Sequence, residues 1–215
     1  MPDLAFEVEG ASAVPYCATP TLGLAVRVTN REAGRVHAVA LDCQVRIDAH
    51  RRRYGDGERE RLTELFGQPA RWSQTLRSLL WAHAHASVPP FEGRAVVQLS
   101  VPCTADFNVL AAKYFHALDD GAVPVSLLFS GTIFYANEAG ALTVARVPMT
   151  AEATFELPVA TWHELLDLYY PNTAWLTVRM DTFDRLQEYR ARRGLPTFEQ
   201  ALDELLEAAA EERVP

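Results

Sequence analysis

The first two-thirds of the chain alternate between hydrophobic and polar residues, a pattern typical of β-strands with one buried face. In TLGLAVRVTN, alternate leucines and valines share one face, and in HAVALDCQVRIDAH the apolar face runs from Val39 to Ile47 through Cys43. Three further segments alternate in this way: RAVVQLSVPC, PVSLLFSGTIFY and ALTVARVPM. The connector ANEAG between the last two predicts a hairpin. Together these segments predict an antiparallel β-sandwich.

Helical spacing interrupts the predicted strands twice. The pattern is helical from Gly57 to Leu80, with a helix in GERERLTELFG that ends at Gly67. In DFNVLAAKYFHALDDG we expect strand up to about Asp106 and helix after it. PVATWHELLDLYYPN then predicts a helix that Pro171 stops. The sequence therefore predicts an α+β fold: a β-sandwich domain at residues 1–158 with helical insertions, and a helical C-terminal segment at residues 159–215 packed on it.

The C-terminal segment TAWLTVRMDTFDRLQEYRARRGLPTFEQALDELLEAA predicts a strand, a helix, a glycine turn and a second helix. Gly194 fits the left-handed residue that ends a helix, and Thr197 with Gln200 fits a capping box. We expect the following apolar residues to be covered: Leu176, Val178, Met180, Phe198, Leu202, Leu205 and Leu206. This order of elements also occurs in ribbon-helix-helix repressors, in which Thr177 and Arg179 would contact base edges.

Charge disfavours the DNA-binding alternative. Residues 175–215 hold six arginines and nine acidic residues, a net charge of −3, and the predicted second helix has no basic residue. The whole chain of 215 residues has 28 acidic and 20 basic residues, a formal net charge of −8. Because affinity for polyanions comes mainly from lysine and arginine, we favour helical cover or a homodimer contact for this segment over a DNA-binding regulator.

The N-terminus and the cysteines favour a cytoplasmic protein. MPDLAFEVEG has neither the basic start nor the apolar core of a signal peptide, and no apolar stretch approaches the roughly 20 residues of a membrane helix. Cys17, Cys43 and Cys103 lie far apart, which favours reduced thiols over a disulfide framework. We expect Cys43 to be a buried, unreactive core residue.

Two segments are candidate binding sites. Arg51, Arg52 and Arg53 in HRRRYGDGERER, with further arginines in the same run, could bind a carboxylate-rich partner or a phosphate. The alternative is a solvated strand end that the interleaved acidic residues neutralise. In YYPNTAW, aromatic side chains either anchor an interface or seal the joint between the sandwich and the C-terminal helices. These side chains are Tyr169, Tyr170 and Trp175.

The sequence favours binding over catalysis. His83 and His85 in WAHAHAS share one face of a predicted strand, as in a two-histidine metal site. The alternative is a polar strand face that carries the imidazoles without a metal, with Trp81 on the same side. A metal site needs a third and usually a fourth ligand, which the sequence does not bring near, so we expect no bound metal and no cofactor. The sequence contains no G-x-S-x-G, G-x-x-x-x-G-K-[ST] or H-E-x-x-H motif, so we do not expect an enzyme.

Six segments together resemble an actinobacterial family of unknown function: CQVRIDAHRRRY, LFGQPARW, PCTADFNVLAAKYFHALDDG, PVSLLFSGTIFY, LYYPNTAWL and RRGLPTFEQAL. The resemblance spans nearly the whole chain and brings no catalytic motif with it. It implies a genomic setting near oxygen-tolerant nickel–iron hydrogenases. We therefore expect a non-catalytic accessory or protein-binding module whose protein partner could be a hydrogenase component.

Overall fold

The computed structural model describes residues 1–103, 109–137, 139–171, 173 and 178–211. The chain divides into two compact units, Met1–Thr173 and Ala174–Pro215. The division therefore falls after the helix that follows residue 158, whereas the sequence placed the boundary before that helix. No helix in the described ranges has both the length and the apolar character needed to span a bilayer.

Antiparallel strands dominate the described part of the first unit: β1 (Leu4–Ala13), β2 (Thr21–Asn30), β3 (Arg35–Ile47), β4 (Leu79–Val88), β5 (Phe91–Glu92), β6 (Arg94–Pro102), β7 (Ala122–Ala136), β8 (Leu142–Arg146) and β9 (Glu152–Pro158). One sheet has the order β1-β2-β6. The other has the order β4-β3-β7-β8, with β5 on β3 and β9 on β7. This arrangement confirms the predicted α+β fold with antiparallel sheets.

Alternation along the strands directs one set of side chains into the core. Every second residue of β3 from Val39 to Ile47 is buried, and Cys43 lies among them. Phe6 of β1 stacks on Phe129 of β7 with ring centroids 4.3 Å apart, so the two sheets contact each other through their apolar faces. The core is therefore a sandwich interior of the kind that period-two patterning produces.

The helices are α1 (Asp56–Phe66), α2 (Trp72–Thr75), α3 (Val109–His116), α4 (Val159–Tyr169), α5 (Met180–Arg193) and α6 (Phe198–Glu211). As predicted, α1 is followed by Gly67, whose φ of +71° suits glycine. Trp162 of α4 stacks on Phe115 of α3 with centroids 4.6 Å apart, and Phe115 also contacts Trp81 of β4. These aromatic contacts explain why α4 belongs to the first unit.

The C-terminal unit is a helical hairpin. As predicted, Gly194 adopts the left-handed conformation after α5, with φ 68° and ψ 26°. The Gln200 N–H donates to Thr197 Oγ1 at 3.2 Å, which is one of the two hydrogen bonds of the predicted capping box. Phe183 of α5 contacts Phe198 of α6, with ring centroids 5.2 Å apart. The expected strand before α5 lies mostly on residues 174–177, outside the described residues.

The prediction that α6 buries its leucines is wrong. The exposed fractions of Leu202, Leu205 and Leu206 are 37%, 40% and 68%, whereas Ala201 is fully buried. Val178 and Met180, for which we expected apolar neighbours, are exposed as well. Within the hairpin, α5 packs against the stripe of α6 that contains Phe198 and Ala201, and the three leucines lie on the neighbouring stripe.

Candidate functional site

The chain between β3 and β4 borders an open cavity of about 760 Å³. This part of the chain consists of a short 3₁₀ turn at Ala49–Arg51, helix α1, a second 3₁₀ turn at Pro69–Arg71 and helix α2. We call this space the basic cavity. Its lining consists of His50, Arg52, Arg53, Tyr54, Arg59, Pro69, Ala70, Trp72, Ser73, Leu76 and Arg77.

The lining concentrates positive charge. Four of the eleven residues are arginine and one is histidine, and none of the eleven described lining residues is acidic. Arg59 lies 3.6 Å from Asp56, which is fully exposed outside the lining, and Arg77 Nη1 donates to its neighbouring carbonyl, Leu76 O, at 3.2 Å. In a chain of net charge −8, this is a local reversal of charge, and such clefts attract anions.

Arg52 is a structural part of the cavity wall. Its side chain is only 8% exposed. Nη2 donates to Glu58 Oε1 at 3.0 Å and to Asp120 O at 2.6 Å, and Nε donates to Ala122 O at 3.0 Å. Nη1 is buried without a hydrogen-bond partner among the described residues. Most of its donors therefore hold Glu58 and the loop before β7, which gives Arg52 a structural role. The predicted binding role of Arg52 stays a prediction.

Arg52 also lines a second cavity of about 580 Å³, the mixed-charge cavity. Its lining consists of Arg51, Arg52, Arg53, Gly55, Glu58, Asp119, Asp120, Gly121, Ala122, Pro124 and Glu156. Arg51 lies 3.6 Å from the buried carboxylate of Asp48. Of the three arginines predicted as a binding site, Arg53 is thus the one that is exposed and lines both cavities.

The carboxylate of Glu58 is buried and kept ionised by its partners. Burial alone would raise the pKa of Glu58, but the hydrogen bond from Arg52, those from the N–H groups of Gly55 and Asp119, and the charge of Arg52 lower it overall. The Gly55 and Asp119 bonds are 3.0 and 3.1 Å long. Glu58 therefore supplies the negative charge that allows Arg52 to be buried.

Aromatic rings form a rigid floor under the basic cavity. The Tyr54 hydroxyl donates to Ala49 O at 2.7 Å and lies 2.8 Å from the Tyr114 hydroxyl. Trp72 packs edge-on against Tyr54, and its Nε1 donates to Gly67 O at 2.9 Å. Burial raises the pKa of both phenols. Because the polar atoms of Tyr54 and Trp72 are bonded to the backbone, both rings are fixed in position.

The aromatic residues predicted as interface anchors divide into three cases. Tyr169 joins the end of α4 to the loop between β1 and β2, because its hydroxyl donates to Val14 O at 2.6 Å and accepts from the Cys17 N–H at 2.9 Å. This contact favours the sealing role for Tyr169. Tyr170 is half-buried directly after α4. Trp175 lies outside the described residues.

His83 and His85 lie on the exposed face of β4, opposite Gln44 and Asp42 of β3. His85 Nδ1 is 2.5 Å from Asp42 Oδ1. The expectation that Trp81 shares this face is wrong: a bulge between β3 and β4 changes the alternation, and Trp81 turns into the core. Within the described ranges, no three histidine, cysteine or acidic residues are grouped so as to hold a metal ion. The expectation of no bound metal stays a prediction.

The three cysteines form no disulfide. Cys17, Cys43 and Cys103 are free thiols. Cys43 is 2% exposed, which confirms the predicted burial, and burial raises its pKa to about 12.

In the C-terminal unit, Arg179 pairs with Asp181 two residues later, and Arg193 pairs with Glu204 of α6. Thr177, the other residue of the DNA-binding alternative, lies outside the described residues.

Sequence reasoning singled out three of the eleven residues that line the basic cavity: Arg52, Arg53 and Arg59. His50 and Arg77 were missed, as was the aromatic floor. Arg77 lies in TLRSLL, where one arginine among apolar residues carries no signal. Only the return of the chain after α2 brings Arg77 to the cavity that Arg53 lines.

A search of curated proteins finds no match. Among solved structures, the chain is similar to a protein from Bordetella pertussis designated ApaA, with 14% sequence identity over 73% of this chain and 93% of that one; the TM-score is 0.24. This likeness is too distant to carry an argument about function. A family model covers nearly every residue, from 1 to 214. The chain therefore belongs to the family of unknown function DUF6084.

Proposed function

We propose that the protein is a non-catalytic accessory module that binds an acidic segment of a partner protein in the basic cavity. The observation that carries this proposal is the charge of the described lining, which holds four arginines and no acidic residue. Arginine binds carboxylates through paired hydrogen bonds and remains protonated at physiological pH. Such a lining favours holding an anion over exchanging protons with it.

The cationic lining belongs to a chain that is acidic overall, which favours a short acidic segment over a nucleic acid as the ligand. A long polyanion would extend beyond the cavity onto the surface of a chain with a net charge of −8. A segment of a few residues can place its carboxylates on Arg53 and Arg77 without that repulsion. The volume of about 760 Å³ lies within the range of ligand sites, roughly 300–1,000 Å³.

The sequence resemblance to a family associated with hydrogenase genes suggests the first partner to test, a hydrogenase component. For such an accessory role we infer a cytoplasmic location. This part of the proposal rests on the resemblance alone, whereas the binding of an acidic segment rests on the cavity.

The experiment is a titration of the protein into a fluorescein-labelled peptide of eight glutamates, followed by anisotropy at two salt concentrations. We expect binding that weakens with salt and is lost in Arg77→Glu. Arg94→Glu is the matched control, since Arg94 is an exposed arginine of β6 that does not line the cavity. Equal affinities of the two variants would contradict the proposal. Tighter binding of a labelled DNA duplex than of the peptide would support the DNA-binding alternative instead.

A further inference from the structure

The basic cavity has an apolar wall as well as a cationic one. Five of its eleven lining residues are apolar or aromatic: Tyr54, Pro69, Ala70, Trp72 and Leu76. An anion alone would use only the cationic side. Pro69 and Ala70 are exposed, whereas Tyr54, Trp72 and Leu76 are each 8% exposed, so the apolar surface that a ligand can cover consists of Pro69, Ala70 and the edges of the buried side chains. An apolar group placed there removes this surface from water.

The two aromatic rings of this wall are held in place before any ligand arrives. Tyr54 and Trp72 meet edge to face with centroids 5.5 Å apart, and Phe66 of α1 packs on Trp72 at 5.8 Å. The Tyr54 hydroxyl donates a hydrogen bond to the Ala49 carbonyl, and the Trp72 Nε1–H donates one to the Gly67 carbonyl. Because these rings need not reorganise, binding against them costs little conformational free energy, and an apolar group that contacts them contributes to affinity.

We propose that the segment bound in the basic cavity carries an aromatic side chain between its carboxylates. An aromatic ring suits both sides of the cavity: it can pack on the exposed Pro69 and Ala70 and on the ring edges that reach the cavity, and its face attracts the guanidinium groups of Arg53 and Arg77. An aliphatic side chain would use only the first of these attractions. This inference rests on the proposed function and specifies its partner: an acidic segment with an aromatic anchor.

The test compares three capped peptides of equal length by calorimetric titration: four glutamates around a central phenylalanine, four glutamates around a central alanine, and four glutamines around a central phenylalanine. We expect the first to bind about tenfold more tightly than the second, which corresponds to about 1.4 kcal/mol. Equal affinities for these two peptides would overturn the inference and leave the proposed function standing. Binding of the glutamine peptide as tight as that of the first would overturn the proposed function itself.

A pair of variants locates the effect in the cavity. Ser73 is exposed on α2 and lines the cavity, whereas its neighbour Gln74 is exposed and is not part of the lining. We expect Ser73→Trp to occupy the aromatic position and abolish the tenfold preference for phenylalanine, and Gln74→Trp to retain it. A preference retained in both variants would place the aromatic contact elsewhere and overturn the inference. If Ser73→Trp does not fold, the comparison of the glutamate peptides on the parent protein decides.

Discussion

Arg52 and Glu58 form a buried ion pair, with Arg52 Nη2 donating to Glu58 Oε1 at 3.0 Å and side-chain exposures of 8% and 7%. The same guanidinium bonds the carbonyls of Asp120 and Ala122, and Glu58 accepts from the Asp119 N–H. The pair therefore fastens the loop before β7 to the segment that follows β3. The cavity wall depends on this connection, since Arg52 and the neighbouring Arg53 both contribute to the lining.

Arg52 and Arg53 should differ in their contribution to stability, although they are neighbours of the same type. We expect Arg52→Ala to lower the free energy of unfolding by about 3–5 kcal/mol, because it leaves the Glu58 carboxylate buried without its partner. Arg53 is exposed, so Arg53→Ala should change stability by no more than about 0.5 kcal/mol. Urea unfolding of both variants measures the difference. Similar losses of stability in the two variants would contradict the structural role of the Arg52–Glu58 ion pair.

Glu58 should make stability depend on acid pH. Its pKa is lowered from an ordinary value of 4.5, so the folded state favours the ionised carboxylate. The stabilisation is fully present above about pH 4.5 and is lost as the pH falls through the lower folded value. We expect Glu58→Gln to be less stable than the parent at pH 6 and to lose less stability between pH 6 and pH 3. Parallel pH profiles from urea unfolding would refute this assignment.

The two buried phenols should respond unequally to loss of the hydroxyl. Tyr54 donates to Ala49 O, so in the pair Tyr114 is the donor and Tyr54 the acceptor. Tyr54→Phe leaves both the Ala49 carbonyl and the Tyr114 hydroxyl without their partner and should cost about 1–3 kcal/mol. Tyr114→Phe leaves the bond to Ala49 in place and should cost less. Thermal melts of the two variants give the order, and the reverse order would show that the donor has been assigned wrongly.

Thiol reactivity should follow burial. Burial raises the pKa of Cys43 and of Cys103 to about 12, so little thiolate forms at neutral pH, whereas Cys17 is only half-buried. We expect iodoacetamide to modify Cys17 first in native buffer and the other two only after denaturant is added. Mass spectrometry of the digested protein measures this order. Rapid modification of Cys43 in the native protein would contradict its place in the core.

The sheets could be predicted because their core strands alternate without interruption, as β2 and β3 do. Strands β1 and β9 were not predicted, since in β9 only Ala153 and Leu157 are buried and so few positions give a weak pattern. The alternation also gave the wrong side for Trp81, because a bulge depends on how two strands pair and not on either strand alone.

The cavity could be predicted only in part, for a related reason. Local sequence shows that Arg52 and Arg53 are charged, but it does not show which of them meets Glu58, since that depends on the turn of the chain into α1. The contribution of Arg77 depends on the complete path through α1 and α2. Long-range return of the chain, which periodicity does not encode, therefore decides the composition of the site.

The central claim is that the basic cavity binds an acidic segment, and the most direct measurement compares two doubly charge-reversed proteins. Arg53→Glu with Arg77→Glu reverses two cavity arginines, and Arg35→Glu with Arg94→Glu reverses two exposed arginines outside the lining, so both proteins have the same net charge. Their affinities for the eight-glutamate peptide are measured at one low salt concentration. We predict that the first protein loses binding by at least about a hundredfold, about 2.7 kcal/mol, while the second stays within about threefold of the parent. Equal losses in the two proteins would mean that net charge and not the cavity controls binding, and would contradict the account.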